Sequence, residues 1–421
     1  MKKIKLKKLD QNVFYEKLSS GLKVYLIPYT KKNNYSASLF TNYGSINNDF
    51  IPIGEKELTS FPAGIAHFLE HKMFEMENGL DPFSFYAKTG TNANASTSFK
   101  VTNYIIWGNN NISENIKYLL EYVYSPYFTD LNVEKEKGII IEEIQMYNDL
   151  PEWVLNDKVK ENLFVNHSIR IPIAGSVSSV SKITKEDLYK CYNTFYQPSN
   201  MSLIVAGKFD QEEVMKDIKA QMKNKQFNQR PITNKDYNEP QKVFKTYEKI
   251  KMNVEMPKLG YAFKINVSHI KLNPFIRDLY FQMFNTLLFG NASLFKEDVR
   301  QKDLAVSFYT SINDVDNYKT LEFFAKTKKA QEFIERIDQE LKNISILEED
   351  FNRIKKVWIA AEVAIVDNYE LNLDNISDDI QKYGDLIPNK IDIIKSLNKK
   401  QLDEMINSLN FNNRTTVIID R

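Results

Sequence analysis

The 421-residue sequence is poor in cysteine, glycine and histidine, and it has no excess of charge of either sign. Its single cysteine, Cys191, excludes an intrachain disulfide and favours a reducing compartment. The 56 basic residues nearly balance the 55 acidic ones, which argues against a nucleic-acid partner. The 13 glycines form no GxGxxG or Walker-type phosphate loop. These absences argue against nucleotide and nucleic-acid chemistry.

Long hydrophobic runs are also missing. No stretch approaches about 18 uninterrupted apolar residues, so we expect no membrane-spanning segment. The first residues, MKKIKLKKLDQNVFYEKLSSG, are basic but no apolar run follows them, so the sequence does not predict a signal peptide. Hydrophobic residues at 43% and charged residues at 26% are typical of a folded globular protein. We expect a cytoplasmic location.

The chain length predicts two domains. Strand-like and helix-like segments alternate in the first half, and a polar stretch with two prolines follows. We therefore expect an N-terminal lobe over residues 1–221, a linker over 222–245 and a C-terminal lobe over 246–421. The order of elements after the linker loosely resembles that of the first half, which indicates a duplicated α+β lobe.

What the sequence does contain is a pair of histidines four residues apart. Of only four histidines in the chain, His67 and His71 lie in GIAHFLEHKMFE, a segment with helical periodicity. Residues four apart share one helix face, so both rings can bind one tetrahedral Zn²⁺. Glu70 can then accept a proton from water whose pKa a bound zinc lowers to about 7. This H-x-x-E-H order inverts the common metalloprotease motif. The alternative is a pair of surface histidines beside an acidic residue.

A catalytic zinc needs a third protein ligand and an open fourth position for water. The other histidines, His167 and His269, are poor candidates, and we expect each to be structural or merely exposed. The helix predicted for EKEKGIIIEEIQMYND offers carboxylates instead. Glu136 and Glu143 are two turns apart and share a face, whereas Glu142 points about 100° away from Glu143. The spacing alone leaves the choice between Glu142 and Glu143 open.

Together, GIAHFLEHKMFE and EKEKGIIIEEIQMYND resemble the motifs of the pitrilysin/insulysin family of zinc metallopeptidases, which includes the mitochondrial processing peptidases. Four further segments also resemble segments of the family: YGSINNDF, TNANASTS, IPIAGSVSSVSKITKEDL and YQPSNMSLIVAG. Among small bacterial members, the sequence most resembles the YmfH-like branch. The resemblance is strong for about residues 20–210 and thin after the linker. It implies one Zn²⁺ per chain, held by His67, His71 and Glu143. It also implies Glu70 as general base and Glu136 as a residue that supports catalysis.

The resemblance further implies a fold of two related α+β lobes, each a β-sheet backed by helices, facing across a peptide-binding cleft. Family members bind a peptide substrate as an added strand on an exposed sheet edge, which here places Asn94 and Ala95 beside the active site. The alternative for these two residues is an ordinary strand-and-turn segment. Phe74 has two interpretations of equal weight: periodicity places it in the core, and the family lets it line the cleft.

The second lobe departs from the family pattern. Active members carry a substrate-binding Arg and Tyr in a segment of the type L-R-E-K-G-L-A-Y, and the matching segment here is VRQKDLAV. Arg300 takes the Arg position, but Val306, which has no hydroxyl, takes the Tyr position. Tyr309 lies three residues on, and in a strand that offset faces the other side of the sheet. The match predicts Arg300 as a substrate-binding residue, and the alternative is that this lobe is structural and Arg300 an ordinary surface charge. Because the Tyr is missing, we expect a second, related subunit to supply the Arg/Tyr pair across the cleft, in a heterodimer rather than a homodimer.

These features predict a zinc-dependent endopeptidase that cleaves peptides or unstructured protein segments. The alternatives are a scaffold subunit with little activity of its own and a peptide-binding module with a structural zinc. The motif positions of the first lobe are intact, and no Cys or spare His is placed to complete a four-ligand structural site. The enzyme is therefore the expectation.

Overall fold

The computed structural model describes residues 1–30, 33–223, 225, 227 and 230–421. Within them the chain forms two compact units, and neither is continuous in sequence. The first unit comprises Met1–Ile144, Pro172–Asp236 and Glu362–Lys390, and the second comprises Gln145–Ile171, Tyr237–Ala361 and Ile391–Arg421. Each unit is built on one large β-sheet with helices packed on it. The predicted α+β class with two related lobes is confirmed.

The strands fall into one large sheet per unit and a small hairpin-like pair. In chain order they are β1 (Lys2–Lys5), β2 (Asn12–Lys17), β3 (Lys23–Pro28), β4 (Tyr35–Thr41), β5 (Asp49–Phe50), β6 (Thr59–Ser60), β7 (Asn92–Thr97), β8 (Thr102–Gly108), β9 (Met201–Gly207), β10 (Tyr247–Lys251), β11 (Lys258–Asn266), β12 (Ser307–Val315), β13 (Tyr318–Lys326) and β14 (Arg414–Asp420).

The helices connect and cover these strands. In chain order they are α1 (Ile65–Lys72), α2 (Pro82–Lys88), α3 (Ile112–Val123), α4 (Asp130–Asn148), α5 (Pro151–Leu163), α6 (Val177–Val180), α7 (Lys185–Phe195), α8 (Gln211–Met222), α9 (Pro274–Phe289), α10 (Leu294–Gln301), α11 (Ala330–Lys342), α12 (Glu348–Ile365), α13 (Tyr369–Tyr383), α14 (Lys390–Ser396) and α15 (Lys399–Asn407). Among the described residues, none of these helices combines the length and the apolar composition needed to cross a membrane.

The sheet of the first unit has the order β1-β2-β3-β9-β4-β8-β7 in the described part of the chain. Its neighbouring strands are antiparallel, except that β3 and β9 run parallel. Strands β4 and β9 are buried along their whole length, since helices cover both faces of the sheet. The strand that matters most for the site is β7, because it lies at the edge of the sheet.

The sheet of the second unit has the order β10-β14-β11-β13-β12 across the described strands. Helix α5 packs on β11 and β14, and a glycine makes this close approach possible. A Cβ atom on Gly260 of β11 would lie 2.5 Å from Cγ2 of Val159 in α5. Among the described strands of the second sheet, Gly260 is the one position without a side chain, and it lies where α5 crosses the sheet.

Two helices belong to a different unit from the one that the predicted domain boundaries assign to them. Helix α13, predicted as part of the C-terminal lobe, packs on β4 and β9 of the first sheet. Its apolar stripe, which includes Leu373, Ile376 and Ile380, shares a buried cluster with Tyr25 and Ile204. Helix α5, predicted as part of the N-terminal lobe, belongs to the second unit. Helical periodicity predicts that a face is buried, but not which sheet buries it.

The segment predicted as a linker, residues 222–245, is partly packed. Ile51 of the first unit donates its N–H to the carbonyl of Thr233. Glu239, whose side chain is 5% exposed, accepts the backbone N–H groups of residues 165–167 in the second unit. Four further positions of the predicted linker lie outside the described residues: 224, 226, 228 and 229.

Candidate metal centre

Helix α1 presents both histidines of the H-x-x-E-H motif. It begins after Gly64, whose φ of 92° is left-handed and whose Cβ would lie 2.3 Å from the carbonyl oxygen of Ala174. A side chain is therefore excluded at this position. Ile65 and Phe68 bury one face of the helix in the core. The rings of His67 and His71 lie 4.5 Å apart on the neighbouring face, with side chains 12% and 25% exposed.

Helix α4 brings the carboxylates to these rings. Its first turn is capped reciprocally: Asn132 N–H donates to Thr129 Oγ1 at 3.1 Å, and Thr129 N–H donates to Asn132 Oδ1 at 2.9 Å. Val133, Ile140 and Ile144 anchor the helix in the same buried cluster as α1. This packing sets the face that carries the glutamates against the face that carries the histidines.

Glu143 completes a group of three potential metal ligands. Its Oε2 lies 3.7 Å from His67 Nε2 and 3.6 Å from His71 Nε2, and the three ligand atoms all lie within 4.8 Å of one another. Ligand atoms about 2.0–2.1 Å from a tetrahedral zinc lie about 3.3–3.4 Å apart. The three side chains therefore fit a zinc ion after only small adjustments.

The structure also separates the two neighbouring glutamates of α4. Glu142 is exposed, whereas Glu143 is half-buried and turned toward the histidines. A difference of about 100° in helical phase accounts for this. The geometry therefore favours Glu143 over Glu142 as the third ligand, a choice that spacing alone left open.

Glu136 holds His71 from the side away from Glu143. Its Oε1 lies 3.1 Å from His71 Nδ1, and its Oε2 lies 3.7 Å from Lys72 Nζ. Burial alone would raise the pKa of Glu136, but the hydrogen bond with His71 and the positive charges beside it lower that pKa. Burial would likewise lower the pKa of His71, but the bond to Glu136 and the nearby carboxylates raise it. An ionised Glu136 accepts the Nδ1–H of His71, which leaves the Nε2 lone pair for a metal.

His67 has a different environment from His71. Burial, followed by repulsion from His71, lowers its pKa to about 4, so the ring is neutral at pH 7. A neutral imidazole is the form that binds a metal. Its Nδ1 is buried and has no hydrogen-bond partner among the described residues. Among the described residues, His71 is therefore the one of the two histidines that a carboxylate holds at Nδ1.

Glu70 lies on α1 between the two histidines and is 8% exposed. Burial raises its pKa, and a hydrogen bond from Thr97 partly opposes this. Thr97 Oγ1 donates to Glu70 Oε2 at 2.9 Å. A raised pKa suits a carboxylate that must take up and release a proton near neutral pH. Sequence reasoning missed Thr97, although alternation along β7 places it on the same face as Ala95.

The predicted substrate-binding residues of the first unit lie on or near the edge strand β7. Among the described residues β7 pairs only with β8, so no strand pairs with its other edge. Asn94 is exposed and Ala95 is half-buried against the core. Phe74 is half-buried and stacks on Phe83, with ring centroids 4.5 Å apart and planes 11° apart. The ring of Phe74 thus belongs to the core on one side and to a partly exposed aromatic pair on the other.

Within the described part of the chain, the residues predicted in the second unit make no contact that marks them as a site. Arg300, on α10, is 78% exposed and pairs with Glu297 at 2.9 Å. Val306 is 67% exposed. Tyr309 is 57% exposed and stacks on Phe324, with centroids 5.2 Å apart. A substrate-binding role for Arg300 stays a prediction.

The two remaining histidines lie outside the cluster. His167 is 2% exposed, accepts the N–H of Ile169 at Nδ1, and has Nε2 3.2 Å from Asp316 Oδ2. His269 lies on the surface, and its Nε2 is 3.1 Å from Ser408 Oγ. Both have local partners that account for them without a metal.

Two histidines of an inverted H-x-x-E-H helix, facing a glutamate of a second helix, are typical of a class of zinc metallopeptidases. Comparison of the sequence with the profiles of known protein families indicates the same class of zinc metallopeptidases. Residues 50–177 match the profile of the insulinase family (peptidase family M16), and residues 182–357 match that of the peptidase M16 inactive domain. The chain belongs to peptidase family M16.

Individual relatives agree with this assignment. The chain is 41% identical over 305 residues to the uncharacterized zinc protease YmfH of Bacillus subtilis (strain 168), which covers 72% of this chain and 71% of that protein. The crystal structure of an M16-like peptidase candidate from Alicyclobacillus acidocaldarius superposes with a TM-score of 0.91 at 28% identity, covering 98% of this chain and 99% of that one. A protease from Helicobacter pylori shares the fold, with a TM-score of 0.83 at 19% identity, over 97% of this chain and 99% of that one. The predicted family and its YmfH-like branch are confirmed.

Proposed function

We propose that the protein is a zinc-dependent endopeptidase that cleaves peptides or unstructured protein segments in the cytoplasm. The observation that carries this proposal is the convergence of His67, His71 and Glu143 beside the buried Glu70. A structural zinc would normally take a fourth protein ligand. Among the described residues the group of potential ligands has three members. The fourth position is then left for water or substrate.

His67, His71 and Glu143 would hold one Zn²⁺ per chain. When bound, zinc supplies a Lewis acid that polarises the scissile carbonyl and acidifies water. Glu70 accepts the proton of the attacking water and then passes it to the leaving amine. Thr97 fixes the carboxylate by donating to one of its oxygens, which leaves the other oxygen free to take the proton. Glu136 keeps the His71 ring in place through Nδ1.

The edge strand β7 is the proposed binding site for the substrate backbone. An extended peptide could pair with the open edge that Asn94 and Ala95 occupy, because main-chain hydrogen bonds grip any extended sequence. Thr97, at the end of the same strand, contacts the proposed base. A peptide added to β7 would therefore lead past Glu70. Phe74, with its exposed partner Phe83, offers an apolar surface for a substrate side chain.

A second candidate function is favoured by the second unit. Val306 cannot donate the hydrogen bond that a tyrosine hydroxyl would give, and the loss of one oxyanion donor typically costs about 100- to 1,000-fold in rate. Residues 182–357 match the profile of an inactive domain. These observations support a subunit of a heterodimeric peptidase, in which a related partner subunit completes the substrate-binding surface.

The proposal is tested by the hydrolysis of a quenched fluorogenic peptide library by the purified chain, with and without a chelator. We expect turnover that the chelator abolishes and added zinc restores. Turnover that persists in chelator would contradict a zinc peptidase. If the zinc-loaded chain alone is inactive, the same assay on the chain co-purified from its native cells decides between the two candidates. An inactive co-purified complex would contradict both.

A further inference from the structure

Lys72 is a buried cation on the helix that carries the two histidines. Its side chain is 1% exposed, and it continues the buried stripe of α1, four residues after Phe68 and three after Leu69. The neighbours on this stripe belong to the core of the first unit. An ammonium group in such surroundings strongly destabilises the fold unless it is paired.

The partners of Lys72 are two carboxylates. Its Nζ forms an ion pair with Glu75 and lies 3.7 Å from Glu136 Oε2. The other oxygen of Glu136, Oε1, lies 3.1 Å from His71 Nδ1. One carboxylate from α4 is thus held between two neighbouring side chains of α1, with one oxygen for each.

We propose that Lys72 is a positioning residue of the metal centre. It anchors Glu136 at Oε2, so that Oε1 stays on Nδ1 of His71. The His71 ring then keeps its Nε2 turned toward Glu143, 3.6 Å from Oε2. This inference deepens the proposed function and rests on it, since it assumes that these side chains bind a metal.

The contrast with His67 supports a specific role for this arrangement. The Nδ1 of His67 is buried and has no hydrogen-bond partner among the described residues, so packing rather than a hydrogen bond holds that side of the ring. His71 is also more exposed, 25% against 12% for His67. The less buried histidine, His71, is therefore the one whose Nδ1 contacts a carboxylate, Glu136, and that carboxylate in turn contacts Lys72.

The test measures zinc affinity by competition with a chromophoric chelator, so it needs no turnover. Outer groups that orient a ligand typically contribute about 10- to 100-fold in metal affinity, and we expect Lys72→Met to weaken zinc binding by a factor in this range. Lys72→Arg keeps the positive charge and should bind zinc more tightly than Lys72→Met. The absorption spectrum of the Co²⁺-loaded protein should change in Lys72→Met, because the position of the His71 ring changes.

A matched control is Lys137→Met, which removes the same charge from α4. Lys137 pairs with Glu134 and is 14% exposed, and this variant should keep the zinc affinity and the Co²⁺ spectrum of the wild type. If Lys72→Met behaves like this control, the proposal is wrong. If zinc affinity falls in Lys72→Met but not in Lys137→Met, the change in net charge cannot explain the fall, because both variants lose one positive charge.

A double variant tests whether Lys72 acts through Glu136. We expect Lys72→Met to weaken zinc binding no further when Glu136→Gln is already present. Independent, multiplying losses would overturn the proposal. If Lys72→Met does not fold, the double variant can still be tested, because it removes both charges and so leaves neither Lys72 nor Glu136 as an unpaired buried charge. Comparing its zinc affinity with that of Glu136→Gln then shows whether Lys72 acts through Glu136. A wild-type chain that binds zinc but cleaves no peptide would contradict the proposed function and leave this test intact.

Discussion

Replacing Glu70 with glutamine should separate proton transfer from metal binding. The two side chains have nearly the same shape, and the site of substitution is 8% exposed. The carbonyl oxygen of the substituted amide can still accept the hydrogen bond that Thr97 Oγ1 donates at 2.9 Å in the wild type. The three proposed ligands are unchanged, and we therefore expect about one zinc per chain to be retained.

The rate should fall strongly in this variant, because an amide cannot accept the proton of the attacking water. General acid–base catalysis typically contributes about 100- to 10,000-fold. At about 1.36 kcal/mol per tenfold, this range corresponds to about 2.7–5.4 kcal/mol in the activation barrier. We expect the loss mainly in kcat, since the edge strand β7 that would bind the peptide is unaltered.

The assay pairs peptide turnover with zinc content measured on the same preparation. Glu77→Gln, the same chemical change at an exposed position just after α1, is the matched control and should match the wild type in both measurements. Loss of zinc from Glu70→Gln would show that Glu70 is a ligand rather than a base. Full turnover with zinc retained would show that another group takes the proton.

Three further predictions test the rest of the site and the second unit. Glu143→Gln should strongly weaken zinc binding, whereas Glu142→Gln should leave it nearly intact; the reverse order in a zinc titration would move the third ligand to Glu142. Glu239→Gln should lower the free energy of unfolding of the second unit by about 3–5 kcal/mol, because the fully buried Lys264 loses its counter-charge. Burial alone would raise the pKa of Glu239, but Lys264 and three backbone N–H groups lower it. The stability that ionised Glu239 contributes is therefore present above about pH 4.3 and lost as the pH falls through its lower pKa in the folded state. Acid unfolding of the wild type and the variant would measure this loss. Finally, the purified single chain should be a feeble peptidase that a related partner subunit activates, and full activity alone, unaffected by Arg300→Ala, would contradict the partner.

The histidine pair could be predicted from the sequence because it depends only on local geometry. Four residues make slightly more than one helical turn, so His67 and His71 must share a face wherever the helix lies. The choice of Glu143 is different, since it depends on the rotation of α4 about its own axis after packing. Spacing left two glutamates open, the family resemblance indicated one of them, and the distances of 3.6 and 3.7 Å to the histidines now favour the same one.

Lys72 shows a signal that was present in the sequence but was not used. Position 72 continues the spacing of Ile65, Phe68 and Leu69, so helical periodicity already places a lysine on the buried face. A charge on an apolar stripe predicts a buried partner, but the partner lies on α4, 64 residues later (136 − 72). Local periodicity can therefore predict that Lys72 is paired, and only the tertiary structure identifies Glu136.

The exchange of α5 and α13 between the predicted lobes could not be found in this way. Each helix has an apolar face, and each sheet has apolar faces that helices must cover, so pattern alone allows several pairings. Tyr25 and Ile204 on the first sheet pack against α13, although more than 160 residues separate them from it in sequence. A helix after a linker is ordinarily assigned to the lobe that follows the linker, and this chain departs from that expectation.

The geometry of the metal centre depends on how α1 and α4 pack together. Helix α1 has only eight residues and carries both histidines and the proposed base, while α4 carries both carboxylates that contact the histidines. Residues of both helices belong to one buried cluster of the first unit, Phe68 and Leu69 from α1 and Ile140 and Ile144 from α4. A shift between the helices would change the Glu143 and Glu136 contacts together, because both carboxylates move with α4. The motif supplies the residue types, and the burial of both helices in one apolar cluster sets the distances at which those residues could bind a metal.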